Sequence, residues 1–215
     1  MKHLYFIIFL VLFAIISINA QQIRLLSNCE SLQSVLTNDL SAKYELNSDL
    51  DCSSIENFIP IGDLDNPFKG SIDGKNHKIK NLKIECNNRE AGLIAFGQSA
   101  SISNLIFEDI NITSNFAHIG ALFGISEGCN VENVTLTTSS ESNMNIIKGT
   151  SVNVNIYIGG ISGYISDSNY NNIIIKNSFV DGEGYERVGG VVGKLCFFNS
   201  YFLNYFHIIP FIKKI

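Results

Sequence analysis

A six-residue glycine-rich segment recurs along the chain, and this recurrence constrains the fold more than any other feature of the sequence. Complete copies occupy 119–124, 158–163 and 188–193, and an earlier copy, 91–97, carries one extra residue. The glycines of these segments are Gly92, Gly97, Gly120, Gly124, Gly159, Gly160, Gly163, Gly189, Gly190 and Gly193. A fixed motif at variable spacing is typical of a solenoid with loops inserted at its corners.

A second motif, apolar-x-Asn-x-x-apolar, alternates with the glycine-rich hexamers. Its asparagines are Asn81, Asn104, Asn133 and Asn177. Asparagine at a turn hydrogen-bonds local backbone and tolerates the left-handed conformation. We expect all four to occupy one turn position and to stack about 4.8 Å apart, with their amides bonded to one another.

Strand-like alternation between the motifs predicts an all-β coil of short parallel strands with glycine and asparagine corners. The sequence contains 32 Ile and 25 Asn, which favour strands and turns respectively. Leu105 and Phe107 share one parity and should point inward, as should Ile110 and Ile112, with 108, 109 and 111 outside or at a bend. The Ser/Thr/Asn-rich segment 137–155 reads as one inserted loop. Unrelated asparagine turns in an antiparallel sandwich are the alternative.

Residues 1–20 have the pattern of a secretory signal peptide. Lys2 precedes an almost wholly apolar stretch at 4–18, and Ala20 supplies a small residue for cleavage. An uncleaved membrane anchor is the alternative. Residues 21–57 are then an N-terminal lead-in, and the predicted location is secreted or at the cell surface.

The five cysteines all follow the predicted signal peptide, so disulfides are expected. Cys29 and Cys52 bracket the first mature segment and form the best candidate pair. Closing that loop would stabilise the fold by roughly 3 kcal/mol. Cys86, Cys129 and Cys196 cannot all pair within one chain, and their pairing stays open.

The segments 58–62 and 67–82 resemble the opening of GLUG-motif repeat proteins, and the glycine-rich hexamers resemble the repeat that names this family. The upstream segment 44–52 is similar to the lead-in strand of these proteins, so the resemblance covers roughly 29–193, with the repeats over 58–193. It implies a right-handed parallel β-helix that serves as scaffold and display surface on an exported protein. It implies no catalytic residue and no cofactor, and the expected partner is an extracellular protein or glycan.

Other functional classes have less support in the sequence. A net charge of -5 without a basic run argues against nucleic-acid binding. No His-x-x-x-His pair is present, which leaves a metallopeptidase without its ligands.

A polysaccharide-active β-helix enzyme is the main alternative. Asp63, Asp65 and Asp73 form a local acidic cluster, and His77 or His118 could complete a site with them. The competing interpretation is turn chemistry, because aspartate beside glycine, asparagine or proline is common in tight turns.

Two N-glycosylation sequons occur, at Asn111 and Asn133. Asn111 lies between two inward isoleucines and should face solvent, whereas Asn133 occupies the recurrent turn. We expect Asn111 to be modified and Asn133 to remain mostly unmodified.

The C-terminal segment 194–215 is aromatic and lacks the motifs. Three interpretations stay open: an apolar cap on the last coil, a marginal membrane anchor through 195–212, or the truncated end of a larger surface protein.

Overall fold

The computed structural model describes residues 22–87, 90–116, 118–150, 156–182, 187–196 and 204–208. The predicted signal peptide at 1–20 lies outside them, as do 197–203 and 209–215 of the aromatic tail. Within the described residues the protein is all-β with parallel sheets, and the only helix is short.

The elements are short, as the sequence predicts. In chain order they are β1 (Ile23–Leu26), α1 (Cys29–Asn38), β2 (Lys43–Leu46), β3 (Leu50–Asp51), β4 (Ser71–Asp73), β5 (Lys78–Lys80), β6 (Lys83–Cys86), β7 (Ile94–Gln98), β8 (Ser101–Glu108), β9 (Asn111–Ser114), β10 (His118–Ile119), β11 (Phe123–Glu127), β12 (Asn130–Thr137), β13 (Asn145–Gly149), β14 (Tyr157–Gly159), β15 (Ser162–Ser166), β16 (Asn169–Ile175), β17 (Ser178–Gly182), β18 (Arg187–Gly189), β19 (Val192–Cys196) and β20 (Asn204–Ile208).

Four sheets collect these strands. Sheet 1 runs β1-β2-β4-β8-β12-β16-β20 and also includes β3 and β5; sheet 2 contains β6-β9-β13-β17, sheet 3 β10-β14-β18, and sheet 4 β7-β11-β15-β19. From β8 onwards the chain visits sheets 1, 2, 3 and 4 in that order and then returns to sheet 1. We call one such passage a circuit. Each strand pairs in parallel with the strand one circuit on, which makes the antiparallel sandwich wrong.

Circuits differ in length only at their corners. Ser101 pairs with Asn130, 29 residues later, and Asn130 pairs with Asn169, 39 residues later. The longer circuit has extra residues on both sides of β13, which pairs with β9 in sheet 2. The prediction of one inserted loop over 137–155 is therefore wrong in part, because a strand interrupts it.

Apolar side chains of the same parity fill the interior. Leu105, Phe107, Ile110 and Ile112 are all buried, as their spacing predicts. The register places Val134 beside Leu105 in the next circuit, so the apolar side chains continue along the stack. Burial of such columns removes apolar surface from water on every circuit.

Glu108 departs from the expected outward position. It is only 7% exposed, although Asp109 lies at the bend and Asn111 faces solvent as predicted. Lys78 Nζ donates to Glu108 Oε2 at 2.6 Å, so the buried carboxylate has a charged partner. Pairing of this kind is what permits a carboxylate to be buried.

The closing glycines of the hexamers allow strands of sheets 3 and 4 to approach closely. A Cβ on Gly163 would lie 2.4 Å from the Ile119 nitrogen and 2.7 Å from the Tyr157 oxygen, both backbone atoms. A Cβ on Gly193 would lie 2.4 Å from the Ile158 nitrogen. The described glycines with positive φ, Gly62 and Gly128, lie outside the hexamers. These closing glycines are therefore required because the strands approach each other closely, and not because the backbone needs a positive φ.

The register also corrects the earliest copy of the hexamer. Ile94 pairs with Phe123 and Gly97 pairs with Ser126. Ala95 therefore takes the place of Gly124, and Gly97 lies beyond the motif. The copy is one residue shorter than the others, not one residue longer.

The N-terminal lead-in contains a helix that the motifs did not predict. Asn28 caps α1, because the Ser31 backbone nitrogen donates to Asn28 Oδ1 at 2.8 Å. A disulfide joins Cys29, at the start of α1, to Cys52 beyond β3, and both residues are buried. The disulfide ties α1 to the segment that follows β3.

The aromatic tail continues the backbone pattern further than its sequence suggests. Strand β20 pairs in parallel with β16, so the chain re-enters sheet 1 after β19. The coil thus continues past Gly193 although this segment lacks the motifs, because strand pairing requires strand-forming residues rather than the motif itself. Among the described residues, no helix has the length and apolar character needed to cross a membrane.

Replacing Gly163 with alanine tests the role of close approach. The new methyl group would collide with backbone of sheet 3, so we expect Gly163→Ala to lower the free energy of unfolding by about 2–4 kcal/mol in urea denaturation. The matched control is Ser101→Ala on the exposed face of β8, expected to cost less than about 0.5 kcal/mol. Equal stability of the two variants would refute the close-approach explanation.

Candidate functional site

The predicted acidic cluster is not assembled into one site. Asp63 and Asp65 lie in the turn between two bridges to β7 of sheet 4, whereas Asp73 ends β4 in sheet 1. Asp63 Oδ1 accepts hydrogen bonds from the backbone nitrogens of Asp65 at 3.0 Å and Asn66 at 2.7 Å. Asp63 therefore organises its own turn.

Asp73 is likewise engaged locally. Its Oδ1 accepts from the Lys75 backbone nitrogen at 2.9 Å and from Asn104 Nδ2 at 3.0 Å, and its Oδ2 lies 3.0 Å from Lys75 Nζ. Burial raises the pKa of Asp73, but the hydrogen bonds from Asn104 and Lys75 outweigh this, and the net pKa lies below the ordinary value. The carboxylate is a bound acceptor rather than an acid poised to donate a proton.

The carboxylate partner of each histidine is one outside the predicted cluster. His77 Nδ1 is 3.5 Å from Asp49, and His118 Nδ1 is 3.5 Å from Glu90. Within the described ranges, no group of three or more His, Cys, Asp or Glu side chains could hold a metal ion.

A shallow pocket of about 460 Å³ lies between residues 57–60 and 85–87. Asn57 forms one wall and bonds to Glu85 in both directions, accepting from its backbone nitrogen and donating to its carbonyl oxygen. These bonds substitute for a neighbouring strand at the edge of β6. The segment that forms the pocket wall thus covers the free edge of sheet 2, which accounts for the pocket without a ligand.

Four polar residues form a ladder on sheet 1. Asn104 Nδ2 donates to Asp73 Oδ1, Asn133 Nδ2 donates to Asn104 Oδ1 at 3.0 Å, and Asn172 Nδ2 donates to Asn133 Oδ1 at 2.8 Å. The three asparagines have φ between 51° and 55°. Each left-handed asparagine is therefore tied by its amide to the circuit before it.

Asn81 and Asn177 belong to a different column, so the expectation of one shared turn position is wrong. Asn81 Nδ2 donates to Asp51 Oδ1 at 2.9 Å, and Asn177 Nδ2 donates to Thr138 Oγ1 at 2.9 Å. Both are left-handed, with φ of 56° and 45°. This second column lies at the corner between sheets 1 and 2, with Asp109 in the same column.

Two further columns flank the hexamers on sheets 3 and 4; they are buried in the earliest copy and partly or fully exposed in the later ones. The residue before each hexamer contributes Glu90, His118, Tyr157 and Arg187, and the residue after contributes Phe96, Ile125, Tyr164 and Lys194. We call them column 1 and column 2. The tight glycine corner between the two sheets brings the columns side by side.

Aromatic and cationic side chains meet where these columns converge. His118 stacks on Tyr157 with ring centroids 5.4 Å apart and meets the Tyr164 ring edge-on at 5.5 Å. Lys194 Nζ lies 4.9 Å from the Tyr157 centroid and 5.4 Å from the Tyr164 centroid, and Arg187 Cζ lies 5.9 Å from Tyr157. We name these five residues the tyrosine–cation cluster.

Electrostatics fix the protonation of one member of the tyrosine–cation cluster. Two effects raise the pKa of Tyr164 to about 12: the larger is a hydrogen bond with Cys196, and the second is burial. The phenol is therefore neutral at physiological pH. The Nδ1 atom of His118 is buried without a hydrogen-bond partner, close to the Glu90 carboxylate.

Motif analysis placed only His118 among the candidate residues of this cluster. The glycine and asparagine motifs do not include the positions that adjoin the hexamers. They therefore did not predict Tyr157, Tyr164, Arg187 and Lys194. Aligning the hexamers and reading one residue outwards on each side would have found all four.

Cys129 and Cys196 are free thiols in the structure. Cys86 and Cys129 are buried, and Cys196 is partly exposed. Burial raises the pKa of Cys129.

Asn133 provides a test of the sheet 1 ladder. Asn133→Ala removes both amide bonds and places alanine in a left-handed conformation, so we expect a loss of about 2–4 kcal/mol in urea unfolding. Asn133→Gly loses the bonds without the conformational strain and should retain about 1 kcal/mol more.

Asn169→Ala is the matched control for the ladder. Asn169 donates to Asn130 Oδ1 at 3.1 Å but has no positive φ, so its loss should cost less than about 1 kcal/mol. If Asn133→Gly were as unstable as Asn133→Ala, backbone strain would play no part at this position.

The two sequons make a second test. Asn111 is exposed, whereas the Asn133 amide nitrogen is committed to Asn104 and the oxygen to Asn172. Expression in a eukaryotic secretion system should yield glycan on Asn111 and little on Asn133, as measured by glycopeptide mapping. Predominant modification of Asn133 would contradict the ladder.

Comparisons with known proteins give distant likenesses. No family model matches the chain. Halomucin of Haloquadratum walsbyi is 30% identical over 135 residues, which is 58% of this chain but 1% of halomucin, so the chain spans only a small fraction of that relative. A solved structure titled "putative immunoglobulin A1 protease from Bacteroides ovatus" aligns with a TM-score of 0.45 and 16% identity, covering 82% of this chain and 74% of that chain.

Proposed function

We propose that this chain is an exported structural and adhesive repeat protein of the GLUG type, a right-handed parallel β-helix that presents a binding surface without catalysis. The fixed visiting order of the four sheets supports a solenoid. Right-handed crossover is the strong preference for connections between parallel strands, which supports that hand. The hexamer and opening resemblance supports the family.

Surface display has separate support. Halomucin carries the name of a mucin, a class of extracellular protein, and the signal-like segment 1–20 favours export. The Cys29–Cys52 disulfide fits an oxidising compartment.

The observation that carries the binding role is the pair of outward columns beside the hexamers. Inward positions of successive circuits are mostly apolar, with a few buried serines and Asn145, but columns 1 and 2 change chemistry from circuit to circuit. Half-buried aromatic side chains beside cations are the composition that recognition surfaces favour.

The enzyme alternative has no assembled site to support it among the described residues. Asp63 and Asp65 lie on a different sheet from Asp73, and local hydrogen bonds occupy Asp63 and Asp73. The carboxylate pair that glycoside hydrolysis requires on one face is not formed by these residues.

Secretion and surface binding test the proposal together. The full chain, expressed with residues 1–20 in a secretion-competent host, should be recovered in the medium or on the cell surface and should bind cells or extracellular matrix. Polygalacturonate and alginate should show no chain cleavage after incubation with it. Retention in the cytoplasm, or cleavage abolished by Asp73→Ala, would overturn the proposal.

A further inference from the structure

Arg187 and Lys194 are two cations without a carboxylate partner. Neither forms an ion pair within the described ranges, whereas lysines 75, 78, 80 and 83 each do. Both approach the same Tyr157 ring from the circuit that follows it. Aromatic contact holds the two side chains in place but leaves their charge available.

Among the residues that the structure describes, no carboxylate lies within ion-pair distance of either cation. Glu90, three circuits away from Arg187, lies 3.5 Å from His118 and is itself buried. Glu127 and Asp167 act on Tyr164, and they lie at or beyond the ends of β11 and β15, towards sheet 1. Arg187 and Lys194 thus form a local positive site on a chain whose net charge is -5.

We propose that the tyrosine–cation cluster binds an anionic polysaccharide, with an acidic group of the sugar chain held between Arg187 and Lys194. A guanidinium offers a planar fork that matches carboxylate or sulfate oxygens, and an ammonium adds a point charge. This inference rests on the proposed adhesive function and names the ligand class for it.

The columns favour a sugar chain over a compact anion. Successive circuits place side chains about 4.8 Å apart along the stack. Column 1 passes from Arg187 to Tyr157 and His118, whose hydroxyl and imidazole groups can exchange hydrogen bonds with sugar hydroxyls. A hydroxyl-rich chain that lies along the columns can use these groups after its acidic group is bound.

Binding by the full secreted protein to immobilised polygalacturonate, dextran sulfate, neutral dextran and polyglutamate tests the proposal. We expect binding to at least one of the two anionic polysaccharides, and the two arms separate carboxylate from sulfate recognition. We expect little binding to dextran or polyglutamate. Affinity should fall as salt concentration rises, because charge contacts are screened.

Charge-removing variants locate the site. The double variant Arg187→Gln/Lys194→Gln should bind at least about ten-fold more weakly. The control Lys69→Gln/Lys176→Gln removes two exposed charges outside the cluster and should change affinity less than about two-fold. Thermal melting of each variant confirms that folding is retained.

Several outcomes would overturn the inference. Equal losses in both double variants would indicate general electrostatics rather than a site, and equal binding of polyglutamate would remove the case for a polysaccharide. Binding to cells or neutral glycans without binding to either anionic polysaccharide would defeat the inference and leave the adhesive function standing. Absence of binding to every cell and glycan would defeat both.

Discussion

In-register stacking of circuits is the constraint from which the rest of this structure follows. Because each strand pairs with its counterpart one circuit on, every corner must be repeated at the same place, or be bypassed by an insertion. A left-handed residue, whether at a corner or within a strand, costs roughly 1–2 kcal/mol. Asn104, Asn133 and Asn172 offset this cost, because each donates an amide hydrogen bond to the residue one circuit before it.

Close backbone approach at the corner between sheets 3 and 4 has an equally direct consequence. Gly163 and Gly193 allow sheets 3 and 4 to meet with no side chain between the contacting strands. The positions on either side of each hexamer then emerge side by side on the outer surface. The same glycines that close the fold therefore bring Tyr157 and Tyr164 near Lys194, which belongs to a different circuit from either tyrosine.

The sequence is informative where a single residue type has a single physical reason to recur. Inward isoleucine, leucine and phenylalanine were predictable from parity, and the hexamers marked the repeat. The sequence could not assign columns, because Asn81 and Asn133 satisfy the same motif, but Asn133 lies within β12 and Asn81 lies at the corner between sheets 1 and 2. Register decides between them, and register depends on pairing partners that are about 30 to 40 residues distant in the chain.

Register also explains why the tyrosine–cation cluster could not be read from local patterns. Each member adjoins a hexamer, but the contact between Lys194 and Tyr157 exists only because two circuits stack. Inward positions must be apolar or have a hydrogen-bond partner in the core, as Ser162 has in Tyr170, whereas columns 1 and 2 carry Glu90, His118 or Arg187 on the same backbone. A solenoid can therefore acquire a recognition site at its corner without changing its core, and an extended ligand can sample several circuits of such a site at once.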